Sequence, residues 1–143
     1  MTTTSLTLVG VGPGDPSLLT LSAVKAIQNA TLIAYPIAKQ GEDGIAFNIA
    51  ASWITGDKKL LPLVFPMVEK AELQQRAWRE SGERLVTEVA KGQEVVFLCH
   101  GDVSLFASAS YMLLYIQLNH PQCLLKLIPG VTAISAAAAA GAW

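Results

Sequence analysis

The chain has 143 residues, of which 52% are hydrophobic and 15% charged, with a net charge of −1 and a mean hydropathy of +0.42. Soluble domains ordinarily carry about 25% charged residues, so the composition excludes disorder and predicts a single well-filled domain. The charge balance offers no basic surface to track phosphates, which argues against nucleic-acid binding. No uncharged apolar run reaches the ~18–20 residues of a membrane-spanning helix, so no membrane association is expected. The opening Met1-Thr-Thr-Thr-Ser5 lacks the basic and apolar regions of a secretory signal. Two cysteines, Cys99 and Cys123, are too few for a disulfide framework, and a reduced cytoplasmic protein is expected.

Charge is unevenly spread. Eleven of the charged residues lie between Glu69 and Glu94, whereas Val95–Trp143 holds two, Asp102 and Lys126. A last third so poor in charge reads as deep core or as surface meant for a partner. With the Ala-rich finish Ser135–Trp143, it is expected that the chain is truncated and a second half is missing. A complete small domain with a buried end is the alternative.

In chain order, short apolar runs alternate with amphipathic segments, as in βα units of a mostly parallel sheet. Leu6–Val11 is the first predicted strand, followed by a helix from Pro16-Ser17 to about Gln28. Thr31–Tyr35 is the second strand, with Pro36 expected to stop it. After a polar loop over Lys39–Gly44, Ile45–Ile54 is a short predicted helix. Leu60–Phe65 is the third strand, and its Pro62 predicts an edge position. Glu69–Lys91 is the clearest helix. Its predicted apolar stripe holds Trp78, Leu85 and Val89 with Ala71 and Val86, and Gly92 is its expected stop. Val95–Cys99 is uninterrupted and apolar, as a central parallel strand should be. A helix over about Leu105–Gln117, a fifth strand at Leu124–Ile128 and a last helix from Val131 complete a doubly wound α/β sheet. Ligands of such sheets bind outside the carboxyl ends of the strands, which singles out the loops Gly12–Asp15, His100–Ser104 and Pro129–Thr132.

The Gly-rich turn Gly10-Val-Gly12-Pro-Gly14-Asp15-Pro16 fails as a dinucleotide fingerprint, because Asp15 and Ser17 stand where the third glycine would be. No G-K-[ST] is present, and Asp15 would repel a phosphate; a tight turn needed for packing is the plain alternative. Asp102 has two readings, N-cap of the following helix or contact with a ligand. Cys99, His100, His120 and Cys123 do not form a zinc pattern, so no metal is expected. Cys99 reads as a core thiol, and His100, His120 and Cys123 as incidental. Ser104 lacks the setting of a nucleophile elbow.

Together, three segments carry a family resemblance. Val9-Gly-Val-Gly-Pro-Gly-Asp-Pro16 with Leu18-Leu-Thr-Leu21, Gly101-Asp102, and Pro129-Gly-Val-Thr-Ala133 resemble, in order and spacing, the signatures of the tetrapyrrole (corrin/porphyrin) methylases. Tyr35-Pro36 and His100-Gly-Asp-Val-Ser-Leu-Phe-Ala-Ser-Ala-Ser-Tyr-Met112 are most similar to the branch that methylates C20 of precorrin-2, or of cobalt-factor II in the anaerobic route.

The resemblance implies the N-terminal αβα domain of a two-domain, usually homodimeric methyltransferase. S-adenosylmethionine would sit between the domains, with a tetrapyrrole as substrate. It places Pro13, His100, Gly101, Asp102, Leu105, Thr132 and Ala133 at the cofactor and puts the Gly-rich loop on the macrocycle side. Asp15, Tyr35 (through a held water) and His100 are the candidates for the base at C20, and none is preferred. Asp102 would position the cofactor, and Lys39, Lys58 and Lys59 are available for substrate carboxylates, with simple surface charge as their plain reading. Uroporphyrinogen-III methyltransferases, diphthine synthases, ribosomal-RNA ribose methylases and a non-catalytic fragment are the alternatives.

Overall fold

The computed structural model describes residues 4–65, 71–102 and 107–141. Five parallel strands form one sheet: β1 (Ser5–Gly10), β2 (Leu32–Ile37), β3 (Lys59–Val64), β4 (Val95–Cys99) and β5 (Leu124–Ile128), in the order β3-β2-β4-β1-β5. The α-helices are α1 (Leu21–Asn29), α2 (Ile45–Ala50), α3 (Ala71–Ala90), α4 (Ala107–Asn119) and α5 (Ala133–Ala139). The doubly wound α/β class, the central place of β4 and the edge place of β3 agree with the sequence.

Alternation along the strands splits the core into two layers. Leu6, Leu8, Ala34 and Phe97 face Trp78 and Leu85 of α3 and Met112 and Ile116 of α4. Val9, Ile33, Tyr35 and Leu98 face Ala23 and Ile27 of α1 and Ala46 and Ile49 of α2. The helix after β1 therefore covers one face and the helix after β4 the other. Adjacent strands whose connections leave to opposite faces open a crevice between their carboxyl ends. Here that crevice lies between β1 and β4.

Four expectations need correction. Pro36 does not stop β2, which runs on to Ile37. The backbone bonds Lys59 N to Thr31 O and Phe65 N to Ile37 O show that odd-numbered residues of β2 serve β3. The nitrogen of Pro36 is thus turned to the β4 side, where pairing ends at Ala34, so its missing N–H breaks no ladder. The segment at Pro16 is only a 3-10 turn over Pro16–Leu18, because Leu19 is extended. The α-helix starts at Leu21, with Thr20 Oγ1 accepting from the Ala23 amide at 3.0 Å. Similarly, α2 ends at Ala50 and passes into a 3-10 turn over Ala51–Trp53. Finally, Ala71 is exposed, and the buried stripe of α3 begins at Trp78. Gly92 does end α3, at a φ of +91° and with its amide on the Val89 carbonyl at 3.0 Å.

Candidate active site at the carboxyl ends of β1, β4 and β5

The β1–β4 ladder continues past both strand ends. Val11 N donates to Cys99 O at 2.9 Å, Gly12 N to Gly101 O at 3.1 Å, and Gly101 N to Gly12 O at 2.8 Å. The Gly12–Gly101 pair is an isolated antiparallel bridge, which Gly12 and Gly101 reach at φ of +85° and +73°. Beside it, His100 Nε2 lies 3.1 Å from the carbonyl oxygen of Pro13. The loop after β5 joins through Asp102, whose Oδ1 accepts from the Gly130 amide at 3.0 Å. Its place is set by backbone contact as well. A Cβ on Gly130 would stand 2.2 Å from Gly101 O, and one on Gly10 would stand 2.7 Å from the same oxygen. The described parts of the three loops singled out by the sequence therefore converge on one junction, residues 103 and 104 lying outside the described residues.

Pro13, His100, Gly101 and Asp102 meet there. Thr132 and Ala133 follow Gly130 directly: Thr132 caps α5, its Oγ1 accepting from Ser135 N at 3.0 Å, and Ala133 is the first residue of that helix. Leu105 lies outside the described residues. Asp102 does something neither of its readings anticipated, tying the loop after β4 to the loop after β5.

Asp15 is exposed and held by its own turn. Its Oδ1 accepts from the Ser17 amide at 2.9 Å and from the Ser17 hydroxyl at 2.8 Å. Those two bonds, the backbone one foremost, hold its carboxyl below the ordinary aspartate value. Tyr35 is 7% exposed and packed in the α1/α2 layer, its ring 4.6 Å from that of Phe47. Burial, and then the charge of Asp43, push its phenol up. Tyr35 is not drawn into the junction. Cys99 is the expected core thiol, pushed up to about 12 by burial and then by the charge of Asp102.

Of the three lysines, Lys58 and Lys59 sit at the start of β3, the opposite edge of the parallel sheet. Lys58 Nζ closes the end of α1, donating to the carbonyls of Gln28 at 2.5 Å and Ala30 at 2.7 Å. Only Lys39, just after β2, belongs to the carboxyl edge.

His120 is not incidental. Its Nε2 lies 2.7 Å from Glu83 Oε1, which also accepts from the Tyr115 hydroxyl at 2.5 Å, joining α3 to α4 and the turn beyond it. These bonds, the His120 one foremost, hold the Glu83 carboxyl below its ordinary value. No sequence spacing marks this cluster, since its members belong to different elements.

The junction is rich in acceptors. Residues 10–18, 100–102 and 128–133 contain Asp15 and Asp102 but no lysine or arginine. Such a lining suits a cationic or neutral ligand and disfavours a phosphate. Among the described residues, no helix is long and apolar enough to cross a membrane, and no three His, Cys, Asp or Glu side chains are grouped as metal ligands.

Comparison with known proteins agrees with this architecture. The chain is 32% identical over 132 residues to the probable cobalt-precorrin-2 C(20)-methyltransferase of Methanocaldococcus jannaschii, covering 92% of this chain and 55% of that protein. It is 34% identical over 135 residues to the precorrin-2 C(20)-methyltransferase of a Sinorhizobium species, covering 89% and 54%. The chain thus spans about half the length of these relatives. The crystal structure of a uroporphyrin-III-C-methyltransferase from Thermus thermophilus superposes with a TM-score of 0.68 at 22% identity, over 98% of this chain and 54% of that one, a likeness of fold. The family model of the Tetrapyrrole (Corrin/Porphyrin) Methylases matches residues 5–143, and the chain belongs to that family.

Proposed function

We propose that this chain forms the N-terminal part of an enzyme that methylates C20 of precorrin-2 or cobalt-factor II during corrin biosynthesis. The observation that carries the reading is the meeting of three glycine-containing loops at the β1/β4 crevice, in a chain whose relatives are named for C20 methylation. S-adenosylmethionine would supply an electrophilic methyl group on a sulfonium centre. The lining fits that charge, with Asp102 at the junction and no lysine or arginine in residues 10–18, 100–102 and 128–133.

By resemblance to the family, Pro13, His100, Gly101, Asp102, Leu105, Thr132 and Ala133 would line the site of this donor. The Gly-rich loop would face the macrocycle. The donor is activated by its own charge, so these residues act chiefly by alignment, which is worth ~7–11 kcal/mol of barrier in favourable cases. Asp102 contributes indirectly too, since it fixes Gly130 and with it the start of α5.

A homodimer in the cytoplasm is part of the same reading. Tyr111, Leu114 and Leu118 of α4 and Leu127 of β5 are exposed apolar side chains, in a third of the chain with almost no charge, which favours association.

Titration calorimetry with S-adenosylmethionine, followed by product analysis with precorrin-2, tests the proposal. Saturable donor binding and a C20-methylated product support it. Methylation of uroporphyrinogen III instead would place the chain in another branch, and absence of both binding and product would leave a non-catalytic fragment.

A further inference from the structure

The β1/β4 crevice also distinguishes among the groups able to accept a proton. Asp15 is turned onto Ser17 by two hydrogen bonds. Asp102 accepts from Gly130. Tyr35 is buried against Phe47, and Cys99 lies wholly inside the sheet's core. His100 is exposed like Asp15 but differs in carrying two ring nitrogens, so that a bond at one leaves a lone pair on the other. Its side chain is exposed at the crevice, and its Nε2 lies 3.1 Å from the Pro13 carbonyl.

A carbonyl oxygen only accepts, so Nε2 must carry the proton. In the neutral ring the lone pair is then confined to Nδ1. The partner of one ring nitrogen thereby decides the chemistry of the other. The chain holding that carbonyl is fixed in turn by the Gly12–Gly101 bridge, one residue from each partner.

We infer that His100 Nδ1 is the base that removes the C20 proton, with the Pro13 carbonyl setting its tautomer. The assignment rests on the methyl-transfer reading above. A π pair of the macrocycle forms the new carbon–methyl bond at C20 while the sulfur–methyl pair stays on sulfur. C20 then bears both methyl and hydrogen. The C–H pair returns to the conjugated ring, and the proton passes to Nδ1. The resulting imidazolium keeps its Nε2–H on Pro13 and later releases the Nδ1 proton to water.

Nitrogen-15 NMR of the 143-residue chain, with the His100 signal assigned by its loss in His100→Gln, reads the tautomer without any ligand. A proton on Nε2 is expected, and a neutral ring protonated on Nδ1 overturns the assignment. In turnover, His100→Gln and His100→Ala should lose at least about a hundredfold in kcat, as removal of a general base does. Donor Kd should change by far less than kcat does, and added imidazole should restore activity to His100→Ala. Turnover of His100→Gln within threefold of the unsubstituted chain, or a loss confined to donor binding, overturns the proposal. Failure of the full-length enzyme proposed above to bind S-adenosylmethionine defeats the methyl-transfer reading itself, whereas donor binding with undiminished turnover in His100→Gln defeats the base assignment alone, so the two failures are distinct.

Discussion

β4 and β5 are both five-residue apolar strands parallel to β1, yet every residue of β4 is buried and none of β5 is. The unbroken run Val-Val-Phe-Leu-Cys foretells the burial of β4, but Leu-Leu-Lys-Leu-Ile does not foretell the exposure of β5. Position does: β4 lies between β2 and β1 with a helical layer on each face, whereas β5 is at the sheet's edge. Apolar composition states what a strand needs covered, and neighbours decide whether it is.

The contrast predicts unequal costs. Phe97→Ala, at a fully buried ring, should lose about 3–5 kcal/mol of stability in urea unfolding. Leu127→Ser, at a side chain 58% exposed, should stay within about 0.5 kcal/mol. Comparable losses at both sites would mean that β5 is covered in solution. If the exposed apolar face mediates self-association, Leu127→Ser should also weaken it in sedimentation experiments.

The junction gives intermediate effects. Gly130→Ala must displace backbone, since its Cβ would lie 2.2 Å from Gly101 O; a cost of about 1–3 kcal/mol is expected, with weakened donor binding. Asp102→Ala leaves the Gly130 amide without its acceptor, at about 1–3 kcal/mol if that amide stays dry, and should weaken S-adenosylmethionine binding in calorimetry. Asp102→Asn keeps an acceptor oxygen and should retain most of the stability. If it loses donor affinity as fully as Asp102→Ala does, the charge of Asp102 matters beyond the tie to Gly130.

The smallest effect belongs to Glu83. Its carboxyl is depressed in the folded chain, so its contribution is complete above the ordinary glutamate value and fades as pH falls through the depressed one. Tyr115 is raised, first by its hydrogen bond to Glu83, so its share is lost as pH rises beyond the ordinary tyrosine value. Glu83→Gln should therefore lower Tm slightly at neutrality, where the contribution is complete but small because the pair is exposed, and leave it unchanged at both extremes, which flattens its dependence on pH.

Strand positions were legible from apolar runs, and Pro62 marked the edge because an inward-facing proline nitrogen would break a ladder. Pro36 misled for the same reason: which neighbour its nitrogen faces depends on pairing, and pairing is not local. The loops of the site were legible as strand–glycine–helix transitions. The tie from Asp102 to Gly130 was not, because its partners are 28 residues apart. Lys58 was equally opaque, its role being set by carbonyls of α1.

By itself, the sequence determined the five strands, the parallel class and the glycine-bearing loops after β1, β4 and β5, since these follow from local periodicity and backbone chemistry. The tertiary structure alone decided strand order, the crevice between β1 and β4, and the company each polar side chain keeps. Those depend on contacts between segments far apart in the chain, and no short window of residues contains them.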